Sequence, residues 1–140
     1  MRVFLLALLF CCQLLTAAAA NVPLMPVRDL RAGMQGIGKT VISGDTIETF
    51  NVEILGVNGS EAMGYNIFVR LYGDLIEKTG GVAQGMSGSP VYVDGRLVGA
   101  VAFGKTFNDP HYCFLTPIGK MLPLLDEPQE LPADWIPKGS

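Results

Sequence analysis

Apolar residues along this chain fall in short runs parted by glycine, asparagine and aspartate, which predicts strands rather than long helices. From Thr46 to Val57, alternation around Ile47, Thr49, Asn51 and Glu53 leads into Ile54-Leu55-Gly56. This predicts a long strand entering a turn at Asn58-Gly59-Ser60. A second strand is expected over Asn66–Tyr72, with one helical turn or a loop at Asp74–Lys78. Val91-Tyr92-Val93, Asp94-Gly95 and the apolar run from Arg96 to Gly104 spell a hairpin, because Asp-Gly between apolar strands suits a two-residue turn. Lys105–His111 is a polar loop, Cys113–Thr116 a short strand, and Pro117 opens a brief helix over Ile118–Leu125. Asn58-Gly59-Ser60 also spells a glycosylation acceptor, although a turn explains it.

Between these patterned stretches lies Gly80-Gly81-Val82-Ala83-Gln84-Gly85-Met86-Ser87-Gly88-Ser89-Pro90, where four glycines frame two serines. Glycine reaches φ > 0 and lets backbone N–H groups approach a ligand. A serine presented there can face a carbonyl carbon, with the N–H groups of Gly85 and Ser87 aimed at the oxygen that gains charge. Gly85-Met86-Ser87-Gly88-Ser89 fails the G-x-S-x-G elbow of α/β-hydrolases, because residue 89 is not glycine.

Composition adds the setting. The 140 residues suit one domain, and 17 glycines with 9 prolines favour a turn-rich, mainly β chain. A net charge of −3 without a basic cluster gives no reason to expect nucleic acid. Arg2, the apolar stretch Val3–Leu15 and the small residues Thr16–Ala20 predict a signal peptide over residues 1–20. The expected location is therefore outside the cytoplasm: periplasm, cell envelope or medium. Membrane contact is expected only through an uncleaved signal segment. Removing the signal leaves Cys113 as the sole cysteine, so folding must rest on burial and not on a disulfide; Cys113 itself reads as a small buried hydrophobe. The domain is assigned to residues 21–125, and residues 126–140 have the proline-rich, charged composition of a tail or linker.

Gly33-Met34-Gln35-Gly36-Ile37-Gly38-Lys39-Thr40 matches the phosphate-loop pattern G-x-x-x-x-G-K-[ST]. That loop requires a buried strand before it and a helix after it. Arg28, Asp29 and Arg31 precede this match and Ser43-Gly44-Asp45 breaks the chain after it, so no nucleotide is expected.

The order Gly-x-Ser-Gly-x-Pro, strand, Gly turn, strand resembles the nucleophile loop and following hairpin of chymotrypsin-like serine proteases. More narrowly, Thr79–Val82 leading into Gln84–Pro90, with Leu97–Val101 beyond, resembles the SpoIVB serine peptidase family, named for a bacterial sporulation signalling protease. Gly33–Gly38, Phe50–Val57, Asn108–Pro110 and Thr116–Ile118 carry the likeness from about Met25 to Leu125. It implies a chymotrypsin-like β-barrel, single or partial, with a short C-terminal helix. It further implies Ser87 as nucleophile, a substrate-pairing strand at Ala102, Phe103 and Gly104, a protein or peptide ligand, and neither cofactor nor metal.

A serine nucleophile needs a base, and the base needs an orienting group. Family histidines lie upstream of the serine, whereas the only histidine here is His111, downstream, in a polar loop where solvation alone would place it. Asp74 lies near the family's aspartate, shifted by a couple of residues, and Lys39 and Lys105 are the alternatives for a serine–lysine pair. Two readings stay open: an exported serine endopeptidase, a short or incomplete family member whose base comes from an unexpected position or from sequence outside these 140 residues, and a protease-like module that binds peptide without cleaving it.

Overall fold

The computed structural model describes residues 21–102 and 108–126. Six antiparallel strands close into a barrel: β1 (Gln35–Thr40), β2 (Glu48–Ser60), β3 (Gly64–Tyr72), β4 (Pro90–Val93), β5 (Arg96–Ala102) and β6 (Tyr112–Pro117). Their order around the barrel is β1-β2-β3-β6-β5-β4. The expected mainly β, barrel-forming chain is therefore what the residues build.

Strand alternation fills the interior. Phe50, Val52 and Ile54 of β2, Ile67, Val69 and Leu71 of β3, Val91 and Val93 of β4, and Cys113 and Leu115 of β6 all point inward and are buried. Each aliphatic side chain taken wholly out of water contributes ~1.5–3 kcal/mol. Burial pushes the Cys113 thiol up to about 12, so it packs as an apolar group. The lead-in is also fixed: Leu24 bridges Leu97 in parallel, and Met25 and Leu30 are buried.

β1 inverts the usual rule, because its inward positions include Gly36 and Gly38 while Ile37 is outward and 49% exposed. The Phe50 ring occupies the space: a methyl group at Gly38 would stand 2.1 Å from Phe50 Cζ. The phosphate-loop letters thus spell a barrel strand paired with β2 and β4.

The Asp94-Gly95 turn is as expected, with positive φ at both residues (49° and 71°) as a type I′ turn requires. The turn expected at Asn58-Gly59-Ser60 is displaced. β2 runs on to Ser60, pairing Asn58 with Asn66 and Gly59 with Tyr65, and the chain reverses over residues 61–63. Gly59 permits this because a side chain there would meet Gly64 O at 2.1 Å. Pro117 does not open the helical segment either; it is extended (φ −60°, ψ 143°), ends β6 and caps Ile118–Met121. The single helix expected over Ile118–Leu125 is two short pieces, Ile118–Met121 and Pro123–Asp126. Pro123 has no N–H to continue the helical ladder.

Candidate functional site

Helix α1 (Asp74–Thr79) ends at Gly80 in the left-handed conformation (φ 72°) and delivers the chain into the serine loop. Gly81 is pressed on the 108–111 loop, where Val82 N–H donates to Pro110 O at 2.8 Å. The loop then turns about Met86, whose side chain is fully buried. Met86 N–H donates to Ala83 O, and Ser89 N–H donates to Met86 O. The loop is tied to β5 by two further bonds: Gly88 N–H donates to Val101 O at 2.8 Å, and Val101 N–H donates to Ser89 O at 3.0 Å.

This anchoring leaves Gly85 and Ser87 exposed on either side of the buried Met86. Among the described residues, neither their N–H groups nor the Ser87 hydroxyl has a hydrogen-bond partner. Positive φ at Gly85 (91°) and Gly88 (83°) makes the loop's path available to glycine at low cost. Ser87 opens onto a groove of about 470 Å³, whose wall includes Lys39, Val41, Ile47 and Tyr92.

The other expected site residues lie at the same end of the barrel, on the segments before β4, after β3 and before β6. Ser89, the second serine of the loop, is buried and donates to Thr40 Oγ1 at 2.9 Å, so its hydroxyl bonds across to β1. Asp74 is exposed at the start of α1 and lines a separate groove with Glu48, Thr49 and Lys78; Ile47 borders both that groove and the one beside Ser87. His111 Nδ1 lies 2.7 Å from Asp109 Oδ1, and Nε2 lies 3.7 Å from Glu77 Oε1. The backbone N–H of His111 and then its ring hold the Asp109 carboxyl below its ordinary value. No hydrogen bond joins Ser87 to His111 or Asp74 among the described residues. Asp109 and Glu77, which flank His111, were not legible in sequence; the partnership depends on α1 packing beside the 108–111 loop.

Ala102 ends β5, paired with Phe114 of β6. Phe103, Gly104 and Lys105, the rest of the expected substrate strand and one candidate lysine, lie outside the described residues, as do the signal segment and residues 127–140. Among the residues that line the Ser87 groove, the titratable ones are Lys39 and Tyr92. Lys39 Nζ stands 5.4 Å from the Tyr92 ring centroid. Among the described residues there is no cluster of His, Cys, Asp and Glu that could hold a metal.

A family model described as SpoIVB peptidase S55 matches residues 16–122. No curated protein matches the chain.

Proposed function

The chain belongs to the SpoIVB peptidase S55 family, and from that premise we propose that it is an exported endopeptidase-type domain with Ser87 as its nucleophile. The observation that carries this reading is a pair of N–H groups, those of Gly85 and of the exposed Ser87 itself, unpartnered among the described residues and set on either side of the buried Met86. A peptide carbonyl seated there would accept from both donors as Ser87 Oγ attacks its carbon, and the growing oxyanion would be stabilised. Removing one such donor in a working enzyme costs ~3–4 kcal/mol of barrier. The Ser87 proton needs an acceptor, and a lysine ammonium such as Lys39 is a donor only.

Among the described residues no acceptor is hydrogen-bonded to Ser87, which favours a second reading, a module that holds an extended peptide without cleaving it. His111 supports this reading as well, because its contacts are with Asp109 and Glu77. A fluorophosphonate probe separates the two, since it reports an activated hydroxyl and not mere exposure. Labelling of the full chain that is lost in Ser87→Ala and kept in Ser89→Ala would support the endopeptidase. No labelling, with peptide still bound, would leave the binding module.

A further inference from the structure

Ile37 lies opposite Tyr92 where β1 pairs with β4. Their outward side chains, with those of Gln35, Lys39 and Asn51, line an open trough of about 810 Å³ that reaches Asp94 and the lead-in residues. Lys39 and Tyr92 border both this trough and the groove beside Ser87, so the two adjoin at these side chains. Antiparallel pairing fixes the spacing along it. Two residues on from Tyr92 is Asp94, which falls beside Gln35, four residues back from Lys39. At a strand rise of ~3.3 Å per residue, the backbone positions of Lys39 and Asp94 lie ~13 Å apart along the strand direction. Exposed Ile37 lies between them. Neither Lys39 nor Asp94 makes an ion pair among the described residues.

We propose that this trough binds an extended peptide bearing an acidic, an apolar and a basic side chain at alternate positions (i, i+2, i+4), met by Lys39, Ile37 and Asp94. An extended chain presents those three side chains on one face at the spacing of the trough. The acidic residue then lies at the end nearest Ser87. Only its placement next to a scissile bond rests on the peptidase reading; the trough's charge pattern does not.

The test uses the full chain carrying Ser87→Ala, so that nothing is cleaved. The probes are the peptide Ala-Glu-Thr-Leu-Thr-Lys-Ala, the same peptide with Glu and Lys exchanged, and a control with alanine at both charged positions. Exposed ion pairs contribute little individually, so the expected advantage of one charged order over the control is about three- to tenfold in Kd at low salt. Lys39→Glu should abolish that advantage, and replacing the probe's Glu with Lys should restore binding to the Lys39→Glu chain. Equal affinity for control and both charged orders would overturn the proposal, as would an advantage that survives Lys39→Glu. Fluorophosphonate labelling of the chain with Ser87 intact is read separately. Charge-dependent binding without labelling keeps the trough and removes the peptidase, whereas labelling without charge-dependent binding does the reverse.

Discussion

The Ser89 hydroxyl meets Thr40 Oγ1 at 2.9 Å with both side chains buried, a bond that ties the serine loop to a strand 49 residues earlier. Removing either partner alone strands a buried hydroxyl, at a cost of ~1–3 kcal/mol. Ser89→Ala and Thr40→Val should each lower the denaturation midpoint, and the double variant should lose less than the sum of the two. Additive losses in urea titrations would show that the bond contributes nothing.

Ser87 is the opposite case, an exposed hydroxyl without a partner among the described residues. Ser87→Ala should leave stability within ~0.5 kcal/mol. Gly88→Val should destabilise by ~1–3 kcal/mol although the space around Gly88 is open, because its φ of 83° strains a β-branched residue. Chemical denaturation of both variants tests the contrast. A neutral Gly88→Val would show that the loop does not need that backbone conformation.

Met86 should be the costliest residue of the loop to truncate. Met86→Ala removes a fully buried side chain and is expected to lose ~2–5 kcal/mol. If Met86 also fixes the two flanking N–H groups, peptide affinity should fall in Met86→Ala under conditions where the chain is still folded. Unchanged affinity would confine Met86 to a packing role.

Acid should weaken the junction between α1 and the 108–111 loop. Asp109 titrates below its ordinary value of 3.8 because His111 donates to it. A depressed carboxylate stabilises the fold above its unfolded value and loses that contribution as pH falls from there through the lower folded value. Asp109→Asn should therefore flatten the acid limb below about pH 4. An acid limb identical to that of the parent chain would remove Asp109 from the account.

Most of the barrel was legible because its inward positions are aliphatic and its β4–β5 turn is Asp-Gly. β1 was not: its period-2 signal is silenced where glycine faces inward, and the side chain filling that space, Phe50, comes from the neighbouring strand. The turn after β2 was misplaced for a related reason, since Gly59 serves close strand approach there and not reversal. In the site, the spelling of the loop indicated Ser87 and its flanking donors. The serine loop, α1 and the 108–111 loop share one end of the barrel, before β4, after β3 and before β6; whether their side chains meet depends on how those segments pack across that end, and local patterns carry no such information.

Six residue pairs join β1 to β2, but only two, Ile37–Tyr92 and Gly38–Val91, close β1 onto β4. The barrel therefore has a seam, and the seam runs beneath the trough. A chain that breathes by unzipping would part there first, since the fewest ladder bonds oppose it. A peptide lying across both strands would act as a suture, slowing amide exchange at Tyr92 and Gly38 more than at Val52 or Val69. Ligand occupancy and the integrity of the cylinder would then be one quantity, readable from a handful of amides.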